Sequence, residues 1–362
     1  MLFDPAPKET RKELFNRERE LEELRSCIRN GKIAIVLGVR RIGKTSLLKV
    51  FAGESGFPYV FIDARKLSEY GYSKMSLYKI LSEEFSKRKR SLEKIADYLK
   101  KIRGVGIFET HLEFDWREKG LSVSSIFEKL EEYAEDNDTS FLIIVDEAQE
   151  MRYLRGHGKM DFRKIIAYSY DNLRRVKFVL SGSEVGILNE FLGFGDSESP
   201  LYGRAREVIN VERFSKEKSL EFLEAGFSEV GMSVSMEEIE RAVEILDGIP
   251  GWLTLYGYMA VRKNNIKVLD QVVDEAVKIA AKELSNLIKG SRLYEHVLKA
   301  MAMGYRNWKN IGYFVESRLG RPVYDKSLYE ILQKLIAASI IEKRGTEYDF
   351  LDPIYREASK RL

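Results

Sequence analysis

The chain of 362 residues is 44% hydrophobic and 32% charged, which gives enough apolar material and enough length for two or three globular domains. A formal net charge of +3 is nearly neutral at this length and argues against a protein that coats nucleic acid, although it leaves local basic patches open. The single cysteine, Cys27, excludes an intramolecular disulfide and favours a reducing compartment, and three scattered histidines argue against a zinc site. No apolar run reaches the length of a membrane span and no signal peptide is evident, so a cytoplasmic protein without a membrane-embedded part is expected.

The first segment, residues 1–14, has two prolines and mixed charges and is predicted to be an extended arm. Apolar residues at helical spacing then predict a helix, for which Asn16 is the expected N-terminal cap. This helix leads directly into the first strand, so Phe15 and Arg17 at its start could lie at the entrance to a site. The residues alone allow equally a hydrophobic staple and a surface charge.

The stretch 33–46 carries the most specific motif. Its apolar run Ile33 to Leu37 predicts a strand buried on both faces, and helical spacing of apolar residues follows. Between them lies Gly38-x-x-x-x-Gly43-Lys44-Thr45, the pattern of a phosphate-binding loop (P-loop). Its backbone N–H groups can hold an anion, Lys44 can reach the β- and γ-phosphates, and Thr45 can bind Mg²⁺. The predicted phosphate-binding residues are Gly38, Val39, Arg40, Arg41, Ile42, Gly43, Lys44, Thr45 and Ser46.

A second strong signal is the apolar strand 141–145, which ends in Asp146 and Glu147. An acidic residue at the carboxyl end of a strand beside a P-loop can hold Mg²⁺, and Asp146 is the predicted ligand together with Thr45. Glu147 is placed to orient or deprotonate the attacking water. This is the expected second half of a nucleotide site.

Ser181 and Ser183 follow a further apolar strand at 176–180 and allow two interpretations. Either serine could lie near the γ-phosphate, or Ser183 could cap the next helix. A loop containing Arg204 then leads to a short strand at 208–211. The alternation of strands and helices up to this point predicts five parallel strands sandwiched by helices, with a small hairpin inserted at 104–119.

From residue 215 onward the predicted elements are helices and one terminal hairpin. The helices are expected at 215–230, 235–247, 251–263, 266–289, 291–303, 307–318 and 325–338. The first four form a small helical domain, and the last three with a hairpin around Gly345 have the pattern of a winged helix-turn-helix. Such a domain binds DNA in many proteins and packs only against protein in many others.

The motifs together resemble the archaeal ATPase family within the STAND class of P-loop NTPases, relatives of AAA+ proteins and of replication-initiator ATPases. The resemblance covers about residues 14–362. It rests on the motifs Phe15-x-Arg17-Glu18-x-Glu20-Leu21-x-x-Leu24, Gly38–Thr45, Phe141–Glu147 with Ala148-Gln149, Ser181-Gly-Ser183, Leu201-Tyr-Gly-Arg204 and Gly248-Ile-Pro250.

The resemblance implies roles that the residues alone do not show. Phe15 and Arg17 are similar to an adenine-flanking entry motif, and Pro250 is similar to a lid proline that contacts the base. Arg204 looks like an arginine that senses the γ-phosphate, in its own chain or from a neighbouring subunit, and would be catalytic together with Lys44 and Glu147. The implied cofactors are ATP or ADP and Mg²⁺, and members of this class are nucleotide-driven conformational switches.

The expected architecture is therefore an α/β, parallel-sheet P-loop NTPase of AAA+/STAND-like type, followed by a helical lid and a winged helix. The predicted segments are 1–14 for the arm, 15–212 for the ATPase domain, 213–289 for the lid and 290–362 for the winged helix. The expected function is an Mg²⁺-dependent ATPase switch.

Two other functions remain open. One is a regulator or initiator in which ATP gates DNA binding by the winged helix, and the other is a nucleotide-bound scaffold with negligible turnover. The acidic pair Asp146 and Glu147 favours turnover over a scaffold. The last domain has 13 Lys/Arg against 9 Asp/Glu, so weak DNA binding and docking on the nucleotide domain are expected. A protein partner or self-association is compatible with the sequence.

Overall fold

The computed structural model describes residues 1–362 except 88, 109–110, 116, 119, 155–159 and 289–290, and for 89–93 it describes the backbone alone. The strands are β1 (Ile33–Leu37), β2 (Tyr59–Asp63), β3 (Val105–Ile107), β4 (Leu112–Phe114), β5 (Phe141–Asp146), β6 (Val176–Gly182), β7 (Glu207–Asn210), β8 (Ile341–Arg344) and β9 (Glu347–Phe350).

Five of these strands form one parallel sheet in the order β2-β5-β6-β1-β7, which confirms the predicted α/β architecture. Every residue of β1, β5 and β6 is buried, because helices cover both faces of a parallel sheet. Leu37 pairs with Gly182, and Asp63 pairs with Asp146. The P-loop and the acidic strand ends therefore lie at the same, carboxyl edge of the sheet.

The strands of this sheet are connected by helices, as the alternation in the sequence predicts. The helices here are α1 (Glu18–Asn30), α2 (Lys44–Glu54), α3 (Leu67–Tyr70), α4 (Lys74–Lys87), α5 (Lys89–Leu99), α6 (Val123–Asp136), α7 (Phe162–Asn172) and α8 (Val185–Leu192). The predicted hairpin is formed by β3 and β4, and its residues 109–110, 116 and 119 lie outside the described part of the chain.

From Lys216 onward, the regular elements among the described residues are helices and one hairpin. The helices are α9 (Lys216–Glu229), α10 (Met236–Leu246), α11 (Pro250–Lys263), α12 (Leu269–Leu287), α13 (Arg292–Ala302), α14 (Trp308–Leu319), α15 (Asp325–Ala337) and α16 (Pro353–Lys360). The first four form the helical region, and α13 to α15 with the antiparallel strands β8 and β9 form the winged helix. Within the described ranges, no helix combines the length and the apolar character that a membrane span requires.

Helix α16 was not predicted from the sequence. Its start has both usual signals, because the Asp352 side chain accepts a hydrogen bond from Ile354 N–H and Pro353 occupies the first helical position. The helix packs along α12 and α13 and so joins the winged helix to the helical region. The division into segments at 14/15 and 212/213 stays a prediction, and the one at 289/290 lies outside the described residues.

The winged helix also contacts the sheet domain. Val185 N–H at the start of α8 donates to the Ser339 hydroxyl, 3.0 Å away. Next to it, Gly186 lies so close to Ala337 that a Cβ on the glycine would be 2.5 Å from the alanine Cα. The C-terminal end of α15 is thus docked on α8, whereas Tyr324 and Tyr329 at its other end are exposed.

Candidate active site

The two glycines of the sequence pattern, Gly38 and Gly43, allow the backbone conformation of the P-loop. A Cβ on Gly38 would lie 2.6 Å from the carbonyl oxygen of Val211, the residue after β7, so only glycine permits this close approach. Gly43 has a φ of +96°, which favours glycine for a second reason. The Lys44 side chain is buried inside the loop, where its Nζ donates to the carbonyl oxygens of Gly38 at 2.7 Å and Val39 at 3.0 Å.

Asp146 lies at the end of β5, fully buried below the first turn of α2. Its Oδ2 accepts a hydrogen bond of 2.7 Å from Thr45 Oγ1, and its other oxygen accepts from the Ser181 hydroxyl. Burial raises the pKa of Asp146, and it outweighs the two hydrogen bonds, which by themselves would lower this pKa. A hydroxyl and a carboxylate side by side are the hard oxygen ligands that Mg²⁺ takes from a protein while phosphates and water complete its shell. The donor set therefore fits Mg²⁺.

Glu147 projects from a residue with a φ of +53°, directly after the strand. Its Oε2 accepts three hydrogen bonds, from Ser183 N at 2.9 Å, Ser183 Oγ at 2.8 Å and Gln149 Nε2 at 2.7 Å. Burial opposes ionisation of this carboxyl, but the Lys44 ammonium and these hydrogen bonds outweigh it and lower the pKa of Glu147. The group is held as a carboxylate, the form that can accept a proton from water.

The two serines of the 181–183 motif thus have different partners, Asp146 for Ser181 and Glu147 for Ser183. The alternative prediction that Ser183 caps α8 is wrong, because Glu184 occupies the cap position and no side chain caps this helix. The Ser183 hydroxyl is instead committed to Glu147.

A cavity of about 580 Å³ opens above the P-loop and brings most of the predicted residues together. The predicted residues that line it are Phe15, Arg17, Arg40, Arg41, Ile42, Gly43, Lys44, Thr45, Ser46, Glu147, Ser183 and Pro250. Gly38, Val39 and Asp146 lie outside the lining, although Lys44 and Thr45 contact them directly. The volume is in the range of small-ligand and cofactor sites.

The cavity has a polar end and an apolar end. The polar end holds the P-loop, Glu147 and Ser183 together with Arg65, which the sequence did not single out. The apolar end includes Phe15, Phe214 and Phe222. The Phe15 ring meets the other two edge to face, with centroid distances of 5.6 Å to Phe214 and 5.4 Å to Phe222. The Phe214 and Phe222 rings are tilted against each other at 5.7 Å. A ligand with an anionic and an aromatic end, such as a nucleotide, matches this division.

Arg17 is buried in the wall rather than exposed at the entrance. Its guanidinium donates to Glu20 Oε1 at 2.9 Å, to the Ile42 carbonyl at 3.1 Å and to the Glu212 carbonyl at 2.9 Å. The alternative of a surface charge is therefore wrong, since Arg17 connects α1, the P-loop and the segment after β7. Asn16 does not cap α1 as predicted, because it adopts a φ of +51° and Arg17 takes the cap position without a side-chain cap.

Pro250 is the first residue of α11, and this helix approaches the P-loop closely. Gly251 N–H donates to the Arg41 carbonyl at 2.9 Å, and the Arg41 guanidinium lies 4.2 Å from the centroid of the Trp252 ring. Arg41 also forms a bidentate ion pair with Glu283 of α12, with 2.5 Å between Nη2 and Oε1 and 3.3 Å between Nη1 and Oε2. The sequence did not single out Trp252 or Glu283, because their contacts to the P-loop span more than 200 residues.

Arg204 lies away from this cavity. Its Nη2 is 2.5 Å from Asp171 Oδ2 at the end of α7, and Nη1 donates to the Pro200 carbonyl. Residues that directly precede a parallel strand lie at its amino edge, so the loop before β7 is opposite the edge where the P-loop opens. The expectation that Arg204 faces the γ-phosphate of its own chain is therefore wrong, and only a role toward a neighbouring subunit remains a prediction.

Comparison with known families and structures supports the assignment from geometry. Residues 14–255 match the model of an ATPase domain predominantly from Archaea, and residues 289–351 match that of the C-terminal winged helix-turn-helix domain of MCM proteins. Comparison with curated proteins gives no significant match.

Two solved structures are similar over nearly the full length. The Walker-type ATPase PABY2304 of Pyrococcus abyssi is 34% identical with a TM-score of 0.88, and the match covers 100% of both chains. The ORC2 protein of Aeropyrum pernix, determined as ADPNP–ADP complexes, is 14% identical with a TM-score of 0.64, over 99% of this chain and 96% of that one. At this identity the second likeness shows the fold alone.

The P-loop, the acidic end of β5 and the full-length match converge on one conclusion. The chain belongs to the ATPase family found predominantly in Archaea, and it is a Walker-type ATPase with a C-terminal winged helix domain.

Proposed function

We propose that the protein is an Mg²⁺-dependent ATPase that acts as a nucleotide-driven conformational switch, in which the nucleotide controls how the winged helix is held. Thr45 and Asp146 would bind the metal, which neutralises phosphate charge when bound. Lys44 would contact the β- and γ-phosphates, and Glu147 would orient the attacking water. The close contact of Thr45 with Asp146 and the ionised state of Glu147 support these roles. Placement within the STAND class belongs to the same proposal.

The observation that carries the switch role is a chain of polar contacts from the P-loop to the winged helix. Arg41 on the P-loop binds Glu283 of α12, and Glu283 Oε2 in turn accepts a hydrogen bond of 2.6 Å from the Tyr355 hydroxyl of α16. Arg40 lies 3.7 Å from the same carboxylate and binds Glu184 at 2.9 Å. One carboxylate thus connects the three parts of the molecule.

The charges of this chain give it a physical reason to respond to nucleotide. Arg40 and Arg41 line the cavity, and their guanidinium groups form ion pairs with Glu184 and Glu283, while Arg40 Nε is buried without an acceptor among the described residues. A triphosphate in the cavity offers stronger anionic acceptors to the same guanidinium groups. A guanidinium that turns to phosphate leaves the half-buried Glu283 carboxylate with less compensating charge, which raises the free energy of the arrangement in which Glu283 joins the P-loop to Tyr355.

The test measures the distance between the sheet domain and the winged helix in each nucleotide state. Spin labels on Glu135→Cys in α6 and Tyr313→Cys in α14 occupy exposed positions, whereas native Cys27 is buried. Pulsed electron paramagnetic resonance should give different distance distributions with ADP and with a non-hydrolysable ATP analogue. Tyr355→Phe, which removes only the hydroxyl that binds Glu283, should shrink that difference. Identical distance distributions in both states would contradict the switch proposal, but the assignment as an ATPase would still stand.

A second candidate is an ATP-gated DNA-binding regulator. The observations that favour it are the match of residues 289–351 to a winged helix-turn-helix and the exposed side chains of Tyr324 and Tyr329 on α15. Against it stands the low positive charge of α15, where Lys326 and Lys334 are offset by Asp325 and Glu330. A role of Arg204 toward a neighbouring subunit, with self-association, belongs to the first proposal and is compatible with its place outside the chain's own cavity.

A further inference from the structure

The segment at the start of the chain, residues 2–8, is part of the wall of the nucleotide cavity. Leu2 and the run 4–8 line the cavity, whereas the sequence predicts only an extended arm here. The segment is not extended in the structure but follows turns and bends. Contacts at both ends of the segment hold it in this position.

One end of the segment is anchored in the helical region by Phe3. The Phe3 ring is fully buried, and it meets the rings of Phe222 and Phe227 edge to face at 5.7 and 4.8 Å. A Cβ on Gly226 of α9 or on Gly257 of α11 would lie 2.2 or 2.3 Å from atoms of this ring. Glycine inside a helix costs about 1 kcal/mol relative to alanine, yet both helices have one where the ring enters. The two glycines shape a socket for Phe3.

The other end of the segment is attached to the P-loop helix. Lys8 N–H donates to Ser46 Oγ at 3.0 Å, and the neighbouring Glu9 forms an ion pair of 2.7 Å with Lys49. Both Ser46 and Lys49 belong to α2, which starts at the P-loop. The segment therefore bridges the helical region and the phosphate end of the site.

The chemistry of the cavity wall indicates which part of the ligand this bridge covers. Phosphates belong at the P-loop, so the aromatic base extends toward the apolar end, where Phe15 and Phe222 lie. Pro5 and Pro7 of the segment, together with Leu255, add apolar surface to the same lining. A base packed between such surfaces buries most of its apolar area.

We propose that residues 2–8 form part of the binding site for the base and ribose of a purine nucleotide, and that insertion of Phe3 between Gly226 and Gly257 sets how slowly the nucleotide leaves. The bound nucleotide lies beneath a bridge fixed at both ends, so its release requires Phe3 to leave the socket. This inference rests on ATP binding in this cavity and not on the switch role.

The experiment measures the dissociation rate of ADP carrying a fluorescent group by stopped-flow displacement with excess ADP. Phe3→Ala should release ADP at least about tenfold faster than the unmodified protein, because changes in affinity appear mainly in dissociation rates and buried aromatic anchors dominate them. Phe3→Leu, which refills part of the socket, should restore much of the slow release. The control Val277→Ala removes buried apolar volume from α12 away from the cavity lining and should leave the rate within about twofold.

A second arm uses inorganic triphosphate, which lacks base and ribose, as a competitor. Its affinity should be the same for the unmodified protein and for Phe3→Ala, because it occupies only the P-loop end. Gly257→Ala keeps Phe3 but puts a methyl group into the socket, and it should accelerate ADP release as Phe3→Ala does. The inference is overturned if both variants release ADP at the unmodified rate, if Val277→Ala accelerates release equally, or if triphosphate loses as much affinity as ADP.

Discussion

The indole N–H of Trp252 donates a hydrogen bond of 2.8 Å to the carboxylate of Asp352, across the boundary between the helical region and the winged helix. Trp252 lines the nucleotide cavity on α11, whereas Asp352 is buried at the start of α16 and also accepts from Ile354 N–H at 2.8 Å. One side chain thus caps α16, the helix that joins the winged helix to the helical region, and satisfies the buried donor of a residue at the nucleotide site.

The first prediction concerns this pair. Asp352→Ala should lower the free energy of unfolding by about 1–3 kcal/mol, because it leaves the Trp252 donor buried without an acceptor and removes the cap of α16. In Trp252→Phe, which has no donor, the added cost of Asp352→Ala should be smaller. Urea unfolding of the two single variants and the double variant gives the coupling energy. Additive effects would show that the hydrogen bond contributes nothing.

The second prediction separates binding from turnover. Lys44→Ala should lose nucleotide binding, because the substitution removes the ammonium group that is proposed to contact the phosphates. Glu147→Gln should keep binding and lose about 10²–10⁴ in turnover rate, since an amide cannot accept the proton of water. Calorimetric titration with ADP and steady-state phosphate release measure the two effects. Full hydrolysis by Glu147→Gln with binding intact would remove Glu147 from the mechanism.

The third prediction concerns Arg204, which is bonded to Asp171 outside its own cavity. If it contacts the γ-phosphate of a neighbouring subunit, Arg204→Ala should lower the ATPase rate without weakening ADP binding, because a guanidinium there stabilises charge only in the transition state. A mixture of Arg204→Ala and Lys44→Ala proteins should recover part of the activity, measured as a function of protein concentration. An unmodified rate for Arg204→Ala alone would end the idea.

The fourth prediction uses Cys27 of α1, which is fully buried, with its thiol 3.5 Å from the Ile33 carbonyl oxygen of β1. Burial raises the pKa of this thiol to about 11, above the value of 9.0 for the exposed group. The native protein should therefore react with thiol reagents at pH 8 only as fast as it opens. As the pH rises from 9 toward 11, the unfolded thiol ionises first, so the stability of the protein should fall relative to that of Cys27→Ala. Parallel urea curves for the two proteins across this range would contradict the shift.

The fifth prediction is that any DNA affinity of the winged helix is weak and independent of sequence. The Lys326 and Lys334 charges on α15 are offset by Asp325 and Glu330, and Arg344 of the hairpin binds Glu342 at 2.5 Å. Few phosphate contacts are then available, and such contacts weaken steeply with salt. Fluorescence anisotropy with labelled duplexes, at two salt concentrations and with ADP or an ATP analogue, measures the affinity. Tight and selective binding at about 0.2 M salt would favour the DNA-binding regulator instead.

The sheet and the phosphate end of the site were predictable because their signals are local. Strands buried on both faces appear as unbroken apolar runs, as in β1, β5 and β6, and the P-loop is a contiguous pattern. Helices α9 to α15 were predictable from apolar spacing and caps such as Ser235, whose side chain accepts from Glu238 N–H. In these cases the sequence neighbours of a residue determine its environment.

The remaining parts of the site depend on contacts between distant residues, for which the sequence has no local signal. Nothing near Phe3 indicates that Gly226 and Gly257 form its socket. Likewise, Glu283 is one acid among many on an amphipathic helix until α12 is placed beside Arg41. The position of Arg204 was open for a different reason, because the family resemblance alone does not distinguish a role in its own chain from a role toward a neighbouring subunit.

If the winged helix leaves α8 during the proposed nucleotide switch, the contact between Gly186 and Ala337 determines how it separates. Gly186 has no side chain that could keep the contact by changing its rotamer as Ala337 moves away. The contact therefore depends on the close approach of the two backbones. A gap of only about 0.5–1 Å already forfeits a quarter to a half of such a contact. The attraction at this contact therefore falls steeply as the two helices separate, and within the proposed switch the winged helix is expected to be either docked or released, with few partly separated positions.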